Sequence, residues 1–185
     1  TLEVGFNYDL IFDGSLSLAG TYYDFKTDNI IRDIPTSQTG KLLSQNTSGE
    51  KGNGFEFELI WKPIDELSLR ANYSKSSLKN EITGEKRANL PKALAYLNVN
   101  WKVSNAINWN LGINSVAGRE RTADDPRSQT KDYISISTRV SWTNIQENLI
   151  LALSGTNITN EYVSEPGPLF LENDVPCRGL YFRWN

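Results

Sequence analysis

Apolar and polar residues alternate with a period of two along most of the chain, and no stretch shows the 3.6-residue recurrence of an amphipathic helix. Within 67–78, Leu67, Leu69, Ala71 and Tyr73 alternate with Ser68, Arg70, Asn72, Ser74 and Ser76. Within 107–117, Ile107, Trp109, Leu111 and Ile113 alternate with Asn108, Asn110, Gly112 and Asn114. Within 132–143, Ile134, Ile136, Val140 and Trp142 oppose Ser135, Ser137, Arg139 and Ser141. The pattern predicts nine strands, over roughly 1–10, 15–31, 53–62, 67–78, 92–102, 107–117, 132–143, 148–157 and 177–184. Strands of about ten residues exceed the usual five or six of soluble sheets and match the 9–11 needed to cross a bilayer at a tilt.

The connections alternate in length. Short turns fall at 11–14, 63–66, 103–106 and 144–147, and carry Asp13-Gly14, Pro63 with Asp65, Ser104-Asn105 and Asn144. Long connections fall at 32–52, 79–91, 117–131 and 157–176. This is an antiparallel up-and-down meander with tight turns at one edge and long loops at the other. Outer-membrane barrels segregate their connections in this way, with short periplasmic turns and longer extracellular loops. The polar faces are mostly Asn and Ser, which suit a crowded, wet interior better than an open solvated surface.

Tryptophan marks depth. Trp61 and Trp101 end the strands that lead into the second and third short turns, and Trp109 begins the strand leaving the third. Trp142 precedes the fourth, and Trp184 stands next to the last residue. By parity all five lie on the apolar face at the short-turn edge, with Tyr8 in the same place before the first turn. Amphipathic aromatics gathered at one depth form an interfacial girdle, here the periplasmic one. A soluble core would scatter them along the strands. The C-terminal strand alternates Leu180, Phe182 and Trp184 on one face, with Asn185 following.

Composition changes the picture only where averages hide the faces. The 185 residues carry a net charge of −3, with 38% hydrophobic residues and a mean hydropathy of −0.46, figures of an ordinary soluble domain. No run of about 18 apolar residues exists, so no membrane-spanning helix is expected. The chain has no Met and opens directly into patterned sequence, so it is expected to be a mature protein or a fragment, with no signal peptide. The absence of His removes the commonest general base and metal ligand. A single cysteine, Cys177, excludes an internal disulfide and a cysteine-clustered metal site. No basic stripe marks a nucleic-acid surface. No catalysis and no cofactor are therefore expected. Asn46, Asn72 and Asn157 each fit Asn-x-Ser/Thr and are read as unglycosylated.

An ordered series of local patterns resembles the C-terminal half of the barrel of TonB-dependent outer-membrane receptors. It begins with Leu2-Glu3-Val4-Gly5-Phe6, the aromatic-rich strand Leu16 to Phe25, and Asp28-Asn29-Ile30. It continues through Asn46, Thr47, Gly52, Gly54, Phe55, Glu56, Phe57 and Glu58, then Leu69, Ala71, Asn72, Tyr73 and Ser74, then Pro91. Asn157-Ile158-Thr159-Asn160-Glu161-Tyr162 is similar to the family's Asn-Leu-x-Asp-x-x-Tyr element, with Ile, Asn and Glu as departures, and Arg178 and Gly179 lead into the last strand.

The resemblance implies an all-β chain in which residues 1–185 form about nine strands of a 22-stranded transmembrane barrel, with the plug domain and earlier strands absent. It implies TonB-dependent uptake of a scarce, bulky nutrient, a ferric siderophore first, with cobalamin, haem or an oligosaccharide as alternatives. The expected partners are outer-membrane lipid, the receptor's own plug and upstream strands, TonB indirectly, and the ligand. In the charged loop after 117, Arg119, Arg121, Asp124, Asp125 and Arg127 are ligand-binding candidates, because Arg suits bidentate contact to carboxylate or catecholate oxygens. The competing reading is a solvated, self-paired charge cluster; Ca²⁺ binding by the two aspartates is a third. Glu56, Glu58, Arg70 and Arg139 face the lumen by parity and are candidates for plug contact, with intrabarrel ion pairing the alternative. Two other functions stay open at this level: a passive pore or small structural barrel, and a soluble β-sandwich that binds carbohydrate.

Overall fold

The computed structural model describes residues 1–10, 15–35, 42–122, 125–143, 145, 149–167, 172–177 and 179–184. Asp13, Gly14, Asp124, Asn144, Arg178 and Asn185 lie outside the described residues. The described residues are strands and connections without a helix.

Nine strands form one antiparallel sheet. In chain order they are β1 (Leu2–Asp9), β2 (Leu16–Thr27), β5 (Glu50–Ile64), β6 (Leu67–Asn80), β7 (Ala93–Lys102), β8 (Ile107–Ala117), β9 (Tyr133–Trp142), β10 (Leu151–Thr156) and β13 (Tyr181–Trp184), and spatial order follows chain order. The remaining four form two hairpins inside the long connections: β3 (Ile31–Pro35) with β4 (Leu42–Asn46), and β11 (Ser164–Glu165) with β12 (Val175–Pro176). The alternating pattern thus locates all nine sheet strands and misses both hairpins.

Several boundaries differ from expectation: β2 ends at Thr27 rather than 31, β6 runs on to Asn80 rather than 78, and β10 spans Leu151–Thr156 rather than 148–157. β5 begins at Glu50 rather than 53, because Lys51 and Gly52 still pair with Lys26 and Phe25 on one side and with Lys79 and Leu78 on the other. The last strand pairs over Tyr181–Trp184 alone rather than from 177. Turn chemistry explains the tight end of the meander. Ser104 Oγ accepts the backbone N–H groups of Ala106 and Ile107 at 3.2 and 3.1 Å, closing the turn between β7 and β8. The turn between β5 and β6 follows a register shift between Trp61 and Ile64.

Among the described residues the sheet has no second layer. Among the described residues the buried hydrophobic side chains are Val116, Ala152 and Val163 alone, whereas Phe6, Phe57 and Ile134 stay exposed. A soluble sandwich buries the inner face of each sheet against the other. Among the described residues nothing packs against the apolar face, so the hydrophobic term that would stabilise it lies outside these residues.

Candidate functional site

Register carries side chains across the sheet in rows, since residues directly opposite on neighbouring antiparallel strands share a face. One row on the outer, apolar face runs Leu18, Leu59, Ala71, Leu97, Ile113 and Ile136. Toward the short turns the same face carries Tyr8, Trp61, Trp101, Trp109 and Trp142. Trp184 pairs in backbone register with Leu153; its side chain lies outside the described set. Trp101 and Trp109 meet edge to face with ring centroids 6.3 Å apart. Trp109 donates its indole N–H to Thr138 Oγ1 at 2.8 Å, so the polar end of the ring is satisfied within the wall. Tyr8 is 61% exposed and Trp101 42%, as expected of rings that point outward.

The opposite face forms the candidate site. Ala19, Glu58, Asn72, Tyr96, Asn114 and Ser135 make one row, and Thr21, Glu56, Ser74 and Leu94 the next. A cavity of about 560 Å³ opens on this face between Thr21, Glu56, Glu58, Asn72, Tyr96 and Asn114. Asn side chains lace neighbouring strands: Asn98 and Asn110 exchange amide hydrogen bonds at 3.3 and 3.2 Å, and Asn108 donates to Asn100 at 2.9 Å. Amides that both donate and accept let such a face satisfy itself without net charge.

All four lumen candidates lie on this face, and they do not converge. Glu56 and Glu58 flank the cavity, Arg70 shares a row with Asn98, and Arg139 lies opposite Asn110. Among the described residues none of the four makes an ion pair. Arg183 belongs with them by register, two strands from Arg139 across Ser154. Alternation in the last strand would have identified it.

The charged loop residues form a clamp between two long connections. Arg119 is 3% exposed, donates to the Ser164 carbonyl at 2.7 Å, to Glu165 at 3.1 Å and to the Lys131 carbonyl at 2.5 Å, and stacks over the Tyr133 ring. Arg121 grips Asp174 through both carboxylate oxygens at 2.7 and 2.6 Å, and reaches Asp125 at 3.4 Å. Arg127 binds Asp125 at 2.6 Å and the Gly167 carbonyl at 2.8 Å. Arg119, Arg121, Asp125 and Arg127 are thus brought together and engaged with protein partners. The Arg127 guanidinium, helped by Arg121, holds the Asp125 carboxyl well below its usual range, and the hydrogen bond from Arg121 lowers the pKa of Asp174.

Sequence reading missed the acidic partners, Glu165 and Asp174, because they lie more than forty residues away in the chain. Elsewhere Glu120 accepts a hydrogen bond from Lys92, which lowers its pKa, and the Asn89 N–H donates to the Glu120 carbonyl at 2.7 Å. The 81–92 loop therefore joins the same rim. Asn157, 2% exposed, adopts φ +50 and closes its loop through side-chain bonds to the Glu161 carbonyl at 2.8 Å and N–H at 3.0 Å. Asn tolerates that left-handed geometry better than most side chains. This gives a physical reason for the Asn at the head of the Asn157–Tyr162 element.

Comparison with solved structures returns the same wall. The ferric-catecholate import receptor Fiu from K12 E. coli aligns at 14% identity and TM-score 0.74 over 97% of this chain and 26% of its own. The ferripyoverdine receptor of the Pseudomonas aeruginosa outer membrane, bound to ferripyoverdine, aligns at 15% identity and TM-score 0.77 over 98% of this chain and 26% of its own. The copper transporter OprC aligns at 13% identity and TM-score 0.73 over 98% and 30%. The chain therefore spans about a quarter of the length of these proteins. No curated protein matches it. The family described as "TonB dependent receptor-like, beta-barrel" matches residues 1–158. With its strand order and two-faced sheet, the chain belongs to the TonB-dependent receptor β-barrel family.

Proposed function

We propose that residues 1–185 are the C-terminal portion of a 22-stranded receptor barrel in a bacterial outer membrane, and that the whole receptor imports a scarce, bulky nutrient, a ferric siderophore first among the candidates. The observation that carries this reading is the unpaired charge on the inner face. Glu56, Glu58, Arg70 and Arg139 lie on the lumenal wall without an ion-pair partner among the described residues. A plug domain seated in the lumen would complete this set, and TonB would act on that plug. The wall itself performs no chemistry: it satisfies lipid outside, water and plug inside, and presents loops to the medium. In this reading Arg119, Arg121, Asp125 and Arg127 serve ligand capture by fixing the shape of the rim, and ligand contact falls on its outer surface.

The ligand class rests on kinship. Among the solved relatives, two carry iron–siderophore names and one a copper name. The test is uptake by cells whose only receptor of this kind is the full-length protein. Growth on ferric siderophores as sole iron source, abolished by deleting the gene and by removing TonB, supports the proposal. Growth indifferent to both, or steady open conductance of the purified protein in planar bilayers, refutes it.

A further inference from the structure

The lumenal wall is segregated by charge. On β1 and β5, register places Glu3, Asp9, Glu56 and Glu58 on the inner face. The strands β7, β8, β9, β10 and β13 contain no Asp or Glu, and their charged side chains, Lys102, Arg139 and Arg183, all belong to that face. Lys102 lines a recess of about 300 Å³ at the short-turn end together with Asp65 and Glu66, which offset its charge. Arg70, on β6, has Glu58 as a diagonal neighbour across β5. Arg139 and Arg183 are left as uncompensated positive charge. They share one row with Ser154 between them, about 10 Å apart at two strand spacings. Both are exposed, and neither has an ion pair among the described residues.

Beside these arginines the wall is open. A Cβ at Gly5, Gly20, Gly52, Gly54 or Gly155 of the sheet would meet an atom within 3.1 Å, whereas at Gly112 the nearest atoms are Ser137 O and Tyr96 Oη, both at 4.0 Å. Gly112 has no positive φ either, so nothing described in this chain requires glycine there. A glycine inside a strand weakens it and marks a place where something else approaches closely. Gly112 lies opposite Ser137, two residues along β9 from Arg139. The floor around it is satisfied from within: besides bonding each other, the Asn98 and Asn110 amides donate to the Leu111 and Val99 carbonyls at 3.3 and 3.2 Å. Both N–H groups of each amide are thus engaged, which leaves a docked protein surface little to bond and a passing anion a smooth approach to two guanidiniums. We propose that this patch is a way-station in transit for an anionic ferric complex, which rests over Gly112 while Arg139 and Arg183 meet its oxygens. The guanidinium fork suits such oxygens, and a confined lumen concentrates the field of both cations. This inference rests on the receptor reading proposed above: a plug that covers Arg139 at rest uncovers it on moving, and the complex takes its place.

The experiment measures radioiron uptake by cells whose only receptor of this kind is the full-length protein. The probes are a ferric tris-catecholate, a trianion, and a ferric tris-hydroxamate, which is uncharged. Wild type is expected to import the tris-catecholate. R139Q/R183Q should lower its maximal uptake rate about tenfold and leave the half-saturating concentration unchanged, because capture occurs at the rim. The charge-keeping R139K/R183K should retain most of the rate. G112F, whose ring has room only toward the lumen, should also lower the rate with half-saturation unchanged, and it keeps the test available if the double variant misassembles. An unchanged maximal rate in R139Q/R183Q, or in G112F where the double variant misassembles, overturns the way-station. So does wild-type import of the uncharged complex alone. Steady conductance of G112F in planar bilayers, absent from wild type, also overturns it, since the plug would then be what packs against Gly112. Import of neither complex by wild type refutes the siderophore reading instead.

Discussion

At the scale of single residues, glycines and aromatics interlock across strands. The Tyr23 and Phe25 rings lie over Gly54 and Gly52, and on the outer face the Phe6 ring lies over Gly20. A Cβ at Gly54 would sit 2.5 Å from Tyr23 Oη and 2.6 Å from the Lys75 carbonyl, and the second of these is backbone that cannot swing away. Gly54→Val is therefore expected to destabilise the receptor by about 1–3 kcal/mol, measured by chemical unfolding in lipid vesicles. The glycines stand in the sequence for anyone to see; their aromatic partners emerge only once register is known. The rim offers a second prediction at this scale. Because Arg121 and Arg127 lower the pKa of Asp174 and Asp125, the folded state gains stability that is fully present above the unfolded carboxylate value near 3.9. It is lost as pH falls through the lower folded values. Protease nicking of the 157–180 connection should thus stay slow from neutral pH down to about pH 4 and quicken below it. Asp174→Asn should quicken it already at neutral pH.

At the scale of the strand, the faces make opposite predictions for neighbouring positions. Leu97 stands in the middle row of the apolar face, and Asn98 faces the lumen. Leu97→Lys is expected to cost about 2–4 kcal/mol, while Asn98→Lys should cost far less, both read from folding in vesicles. Equal costs would mean that the faces are misassigned. The nine sheet strands were legible because each shows only one face to lipid, and alternation over about ten residues is a signal that survives without any neighbour. The hairpins β3–β4 and β11–β12 were not. Ser164–Glu165 and Val175–Pro176 are two-residue strands, too short to show a period, and they are held by a clamp whose charges come from elsewhere in the chain. For the same reason Arg119, Arg121 and Arg127 were legible as a charge cluster, but their engagement with Glu165 and Asp174 was not.

At the scale of the whole molecule, the long connections act as one rim. Glu120 joins the 81–92 loop to the 118–131 loop, Arg119 and Arg121 join that to 164–174, and Arg87 ties back to Glu50 at 2.7 Å. A ligand that displaced one loop would have to move its neighbours too. Both sheet edges, β1 and β13, end the strand order unpaired with each other. Open backbone edges are not tolerated in lipid. Residues 1–185 expressed alone are therefore expected to give no heat-resistant, compact band on unboiled gels, whereas the full-length receptor gives one.

The direction of those two edges has its own consequence. In a nine-stranded antiparallel meander the first and ninth strands point the same way, so β1 and β13 run parallel. Rolling the sheet up would bring together two strands with the wrong hydrogen-bond polarity for an antiparallel seam. Adding a second copy head to tail repeats the mismatch at each junction. Any all-antiparallel closure requires an odd number of further strands between β13 and β1. That arithmetic excludes an all-antiparallel barrel made of one copy alone or of copies joined head to tail.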